Sequence, residues 1–456
     1  MMDLQTATRE ELIQLIIVQN DVIAQLRAQI VVLEERLAAL EGRVASHEEK
    51  PAEKAPPKWV KSNRPKGEKK PRKKRSRGYG RRRSQATRQV RHAVETCSNC
   101  GQKLMGGSVK RRREVLHIAL QPLEVIEHVF IERRCPVCNT RETPSADVLR
   151  GEVLGRHRVS LQTMAMIATM REEGRLPIGE IQWMLQAFYG LELSQGELVS
   201  ILQAVADHGR GQVAELRKQL RKSPVVHGDE TSWRENGQNG WFWSFSTSQI
   251  SYFEHRLSRS GQIVEDVMGR SPNTTMTCDF YGAYNRHHGP HQRCWAHLLR
   301  DVHDLKAHYP DDEEVQAWVT AVHALYVEAC QFRDRHREEE AWGERYKAAC
   351  RFKSELLALC EPFLEKERPQ RVLCQRCHHF IDQLFRFVVD LGVPSTNNAA
   401  ERAIRPIAVS RKISGGTRSS RGSETKSILA SLFGTWRLQG LNPFMACSRL
   451  LASPQI

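Results

Sequence analysis

Val225-Val226-His227-Gly228-Asp229-Glu230-Thr231 is where the chain changes period, from helical spacing before it to strand-like runs after it. Val225 to Asp229 reads as a buried strand, Trp241 to Phe245 as an alternating one, and Ile250 to His255 as a third. A helix over Gly261 to Met268, a strand over Thr275 to Asp279, a short strand over Gln292 to Cys294 and a helix over Trp295 to Tyr309 follow. Three consecutive strands, a helix, a strand and then alternation is the order of a ribonuclease-H-like α/β core. Residues 311–390 are charged and helical without strand signal, an all-helical insertion before a last helix over Asn398 to Arg405, which Pro406 kinks or breaks.

Two apolar runs of this core end in a carboxylate, Asp229 and Asp279, and the last helix carries Glu401. Carboxylates delivered from strand ends and a helix suit a hard cation that keeps open positions for phosphate and water. Each also has an ordinary explanation. The aspartates can form turns, and Glu401 can complete a capping box with Asn398. Glu230 points to the opposite strand face, and His227 shares the face of Asp229 as a packed histidine.

Upstream, residues 158–222 read as helical. Pro177 fits a first turn, Ile178 to Phe188 is amphipathic, Gly190 ends that helix, and Ser194 with Glu197 caps a second one through Val205. The pair has helix-turn-helix form. Before it, Cys97-Ser-Asn-Cys100 and Cys135-Pro-Val-Cys138 flank thirty-four residues in which Val115 to Leu120 and Val125 to Arg133 alternate. Two such knuckles can hold zinc tetrahedrally, so a zinc ribbon is expected. Cys374 and Cys377 form a third pair, and with Cys294 and His297 they raise a less favoured second zinc site.

The N-terminus carries a heptad with Ile16, Ile23, Ile30, Leu37 and Val44 at one apolar position and Leu12, Leu26, Leu33 and Leu40 at the other, interrupted by Gln19. That pattern predicts a parallel two-stranded coiled coil and hence a homodimer or higher homo-oligomer. The net charge of +16 sits elsewhere: between Lys50 and His92, 18 lysines and arginines meet two acids, Glu53 and Glu68, so this tract holds the whole excess. Within it Lys69, Lys70, Arg72, Lys73, Lys74, Arg75, Arg81, Arg82 and Arg83 are candidate phosphate contacts, and nucleic acid is the expected partner. The apolar stretch Leu12 to Val18 is too short for a signal peptide, and no run approaches the roughly twenty apolar residues of a membrane span, so a cytoplasmic location is expected.

Taken with Asp229-Glu-Thr, the strings Asp279-Phe-Tyr-Gly-Ala-Tyr284, Cys294-Trp-Ala-His297 with Arg300, Asn397-Asn-Ala-Ala-Glu401-Arg-Ala-Ile-Arg405-Pro, Arg421-Gly-Ser-Glu and Gly440-Leu-Asn-Pro443 give the chain a family likeness. It resembles transposases of the insertion sequence 66 family, in the DDE superfamily with a ribonuclease-H-like core. The resemblance extends over the N-terminal zipper, zinc module and helix-turn-helix region.

It implies a DNA transposase in which Asp229, Asp279 and Glu401 bind Mg²⁺ or Mn²⁺, cleave element ends and transfer strands to target DNA. Arg402, Arg405, Arg411 and Lys412 would lie along phosphates, and accessory proteins of the same element are further candidate partners. The implied segments are 1–48 coiled coil, 49–92 disordered basic linker, 93–150 zinc ribbon, 151–222 helical DNA-binding region, 223–310 with 391–456 catalytic core, and 311–390 insertion. The alternatives are a DNA-binding regulatory protein with an inactive core, and a nuclease without strand transfer.

Overall fold

The computed structural model describes residues 85, 89–106, 108–109, 123–145, 149–365 and 367–453. The heptad at 1–48 and the basic residues from Lys69 to Arg83 lie outside them. The chain divides into two compact units, Met1–Leu116 and His117–Ile456.

In the first unit, Thr96 bridges Lys103, Cys97 N–H donates to Gln102 O at 2.9 Å, and Gly101, at φ +73°, donates to Cys97 O at 2.8 Å. The second unit repeats this local turn. There β1 (Arg133–Arg134) pairs antiparallel with β2 (Arg141–Glu142), Cys135 N–H donates to Thr140 O at 2.8 Å, and Asn139 takes φ +66°. The expected long strand over Val125 to Arg133 is not formed: sheet pairing begins only at Arg133, and its expected partner, 115–120, lies outside the described residues.

Helix α1 (Leu161–Glu172) buries Leu161, Met164, Ala165 and Ala168, a helical stripe, with Ser160 Oγ accepting from Thr163 N–H at 3.2 Å. Helix α2 (Ile178–Tyr189) starts after Pro177 and closes on Gly190 at φ +67°. In α3 (Gln195–Lys222) Ser194 Oγ caps Glu197 N–H at 3.1 Å, but the Glu197 carboxylate accepts from Arg158 Nε at 2.8 Å, so only half of the capping box forms. The helix does not stop at Val205. Val213, Leu216 and Leu220 prolong its buried stripe past Gly209, where an added Cβ would meet Leu432 at 2.5 Å.

The sheet comprises β3 (Val225–Glu235), β4 (Gln238–Ser246), β5 (Ser251–Arg256), β6 (Thr275–Cys278) and β7 (His291–Arg293) in the order β5-β4-β3-β6-β7. The first three are antiparallel, and β6 and β7 continue parallel to β3. Asn236 at φ +48° and Gly237 at φ +80° make the tight turn that joins β3 to β4. Helix α4 (Gln262–Met268) connects β5 to β6, and α5 (Trp295–His308) follows β7.

The insertion contributes α6 (Glu313–Arg335), α7 (Trp342–Cys360), α8 (Arg371–His379) and α9 (Arg386–Val389). It has a core of its own, with Trp318, Val322, Phe352, Leu356 and Phe385 packed on Trp295 and Leu298 of α5. Buried Arg293 ties it to the sheet, donating to Gln383 Oε1 and to Asp279 O at 2.7 Å each, with its guanidinium 4.5 Å from the Phe380 ring centre.

Helix α10 (Asn398–Ser414) is not broken at Pro406. Ile404 and Ile407, on either side of the proline, are buried against Trp233 and Phe242, which holds the helix across the missing N–H. Helix α11 (Ser420–Leu438) lies along β5, where Thr435 Oγ1 accepts from Ser251 N–H at 3.1 Å and Ser431 Oγ from Phe253 N–H at 2.8 Å, and α12 (Pro443–Ala452) closes the chain. One hydrophobic cluster runs from α1, α2 and α3 through Val226, Trp243 and Met276 of the sheet to Leu432 and Trp436 of α11. Among the described residues no helix is long and apolar enough to cross a membrane.

Between α1 and α11 a buried ion pair joins Lys426 Nζ to Glu172 Oε2 at 2.7 Å. Lys426→Ala would leave a buried carboxylate unpaired and is expected to cost about 3 kcal/mol, whereas Lys426→Met with Glu172→Leu should cost far less. Urea denaturation of the two variants checks this.

Candidate active site

His227 of β3 is paired with Thr277 of β6, so Asp229, further along β3, and Asp279, just past the end of β6, each lie two residues beyond a paired position. Such strands run about 4.8 Å apart. The β3–β6 ladder ends at that pair, and the two aspartates lie where the strands begin to part. Backbone amides fix both carboxylates: Asp229 Oδ1 accepts from Glu230 N–H at 2.9 Å, and Asp279 Oδ1 from Tyr281 N–H at 2.9 Å. The second oxygen of each has no hydrogen bond among the described residues. Burial, the adjacent Glu230 and the charges of Asp279 and Glu401 push Asp229 up to about 7.

Glu401 enters from the first turn of α10. Its Oε1 lies 3.6 Å from His297 Nε2 and 3.9 Å from Arg300 Nη2, both on α5. A hydrogen bond with Cys294 raises the pKa of His297. Asn397, not Asn398, is the residue before the helix, its side chain makes no capping bond, and its backbone N–H donates to Cys294 Sγ.

The neighbouring groups are committed to support. The Glu230 side chain, 4% exposed, accepts from Arg259 Nη2 at 2.6 Å and from the Tyr284 hydroxyl. Arg259 in turn lies 4.0 Å over the Tyr281 ring. Gly228 is required here, because a Cβ would meet the Tyr284 ring at 2.7 Å. His227 is buried with its Nδ1 3.2 Å from Asn397 Oδ1.

Of the expected phosphate contacts, Arg402, Arg405 and Lys412 are exposed on α10. Arg411 is a strut: its Nη1 donates to Thr231 Oγ1 at 3.0 Å and Ser232 O at 2.6 Å. Cys294 accepts from Asn397 N–H, while Cys374 and Cys377 are buried against Cys360 in the insertion, so these two pairs are engaged separately.

Among the described residues no three His, Cys, Asp or Glu side chains stand in ready metal-ligating geometry. The donor chemistry nevertheless fits a hard divalent ion. Three carboxylates contribute oxygens only, the two aspartates each keep one oxygen uncommitted, and their mutual repulsion is what a cation would relieve. In the knuckles, hydrogen bonds from the Cys100 and Asn99 amides lower the Cys97 pKa, and the Thr140 side chain brings Cys138 to about 7. Both shifts favour the thiolate that zinc binds.

The family model described as Transposase IS66 family matches residues 156–425, a span holding α1 to α10, the whole sheet and all three carboxylates. The chain is also similar to the uncharacterized protein y4qI of Sinorhizobium fredii, 27% identical over 164 residues. That stretch is 35% of this chain and 30% of the relative's length, less than a third of it. With more than half of its length matched, the chain belongs to the IS66 family of transposases.

Proposed function

We propose that this chain is a DDE transposase that cleaves DNA at the ends of its element and joins them to target DNA, using Asp229, Asp279 and Glu401 to hold Mg²⁺ or Mn²⁺. The observation that supports the reading is the β3–β6 register, in which Asp229 on β3 and Asp279 just past β6 each lie two residues beyond the last paired position, with Glu401 among the charges that raise the Asp229 pKa. The strand order β5-β4-β3-β6-β7, three antiparallel and two parallel, supports a ribonuclease-H-like core.

When bound, divalent ions supply an activated water or 3′-hydroxyl and stabilise the leaving oxygen of the phosphodiester. The protein's part is to present oxygens at fixed positions. The Glu230 and Tyr281 amides orient the two aspartates, His297 and Arg300 hold Glu401, and exposed Arg402, Arg405 and Lys412 attract the DNA backbone. Cys97, Cys100, Cys135 and Cys138 would hold zinc, residues 158–222 would contact the element's terminal repeats, and the heptad with Ile23 and Ile30 would pair two chains so that two ends are cut together.

Purified protein incubated with duplex carrying the element's ends should produce nicked and then joined DNA with Mg²⁺ or Mn²⁺, and neither with EDTA. Binding without cleavage in both metals would overturn the catalytic reading in favour of a regulatory protein. Nicking without joined product would reduce it to a nuclease.

A further inference from the structure

Asn397 stands where a helix-capping asparagine would, yet its side chain makes no cap bond to α10. It reaches across to the sheet instead. Asn397 Nδ2 donates to Gly228 O at 2.6 Å, its Oδ1 lies 3.2 Å from His227 Nδ1, and its backbone N–H donates to Cys294 Sγ at 3.0 Å. Because an amide oxygen only accepts, His227 must carry its proton on Nδ1. The residue is 1% exposed, so these bonds form away from water and fix geometry strongly.

The three contacts fall on the elements that deliver the site. Gly228 precedes Asp229, just beyond the last β3–β6 pair, and Cys294 precedes the α5 turn that carries His297 and Arg300. Glu401 lies four residues after Asn397, one turn into a rigid helix. Trp295 N–H donates to Ser395 O at 3.0 Å, a second tie between the same segments.

We infer that Asn397 is a positioning residue that sets the distance between Glu401 and the paired aspartates, and so the affinity of the site for its divalent ion. This rests on the metal-dependent reading above. Partners that orient metal ligands commonly change affinity 10- to 100-fold when removed. Aspartate has the same shape as asparagine but no donor for Gly228 O, so shape alone cannot rescue the tie.

The test compares wild type, Asn397→Ala, Asn397→Asp and, as a structural control, Ser431→Ala, which loses buried hydrogen bonds at the far edge of the sheet. Mn²⁺ binding to the full chain is read by electron paramagnetic resonance, together with the half-saturating Mn²⁺ for cleavage and the affinity for end DNA. Both Asn397 variants should bind Mn²⁺ at least about tenfold more weakly and need correspondingly more for cleavage, with end-DNA affinity kept and Ser431→Ala unchanged in all three.

Wild-type Mn²⁺ binding in Asn397→Asp would overturn the inference, as would an equal loss in Ser431→Ala. Unfolding of both Asn397 variants by circular dichroism would make the residue a fold determinant only and overturn it too. If wild type itself neither binds Mn²⁺ nor cleaves, the metal reading falls and takes the clamp with it. If wild type does both and Asn397→Asp matches it, the clamp alone falls.

Discussion

Asp279→Asn is expected to lower metal-dependent cleavage of element ends by about a thousandfold or more, close to 4 kcal/mol of transition-state stabilisation, while leaving affinity for the same DNA nearly unchanged. Asp279 follows β6 with one oxygen held by the Tyr281 amide and its backbone carbonyl held by Arg293. The amide of asparagine is almost the same size, so both supports survive. What disappears is the anionic oxygen of one of the two aspartates that lie two residues beyond the last β3–β6 pair. Single-turnover nicking and gel shift on the same preparation separate the two effects. Equal cleavage by the two proteins would remove Asp279 from the mechanism.

Asp229→Asn should do the opposite to stability. The Asp229 pKa rises from an ordinary 3.8 to about 7, chiefly because the carboxylate is buried and then because other acids surround it. Below pH 4 the acid is protonated in the folded and unfolded chain alike, and nothing is lost. Between pH 4 and 7 the unfolded chain releases its proton while the fold retains it, so stability falls as pH rises and the penalty is complete above 7.

Asparagine never ionises, so in EDTA at pH 8 the variant is expected to be more stable than wild type by up to about 4 kcal/mol, the equivalent of that shift, with the gap closing toward pH 4. Guanidinium denaturation at pH 5 and 8 measures it. A variant that is no more stable at pH 8 would show that the carboxylate is well solvated. Loss of cleavage with gain of stability is what a site kept under charge repulsion for the sake of a cation should give.

The strands of the five-stranded sheet, and with them the positions of Asp229 and Asp279 at or near strand ends, were legible because their signals are local, whereas the reading of Glu401 rested on the family-like string around it. Apolar runs of strand length bounded by turn residues needed no knowledge of neighbours. Other features depended on partners that a linear reading does not contain. Helix α3 seemed to end at Val205, since Asp207 to Gln212 break the apolar pattern, but its stripe resumes where the sheet and α11 lie beneath it. Pro406 looked like a stop, and burial of Ile404 and Ile407 carries the helix through.

Asn236-Gly237 is a two-residue hairpin signal, and it extends β3 well past Asp229 to Glu235. The cap reading fell on Asn398, while Asn397 beside it ties its side chain to β3, and Arg411 Nη1 also bonds to that strand, contacts that only the tertiary fold reveals.

The serine and threonine of α11 that bond to Ser251 and Phe253 have a consequence for how fragments of this chain behave. An outer strand with unpaired amides is a template for any other strand, including those of a second copy. Here a helix supplies the missing partners from its own hydroxyls, so sheet growth stops at β5. A chain lacking residues 420–453 is expected to present that edge bare and to self-associate through it.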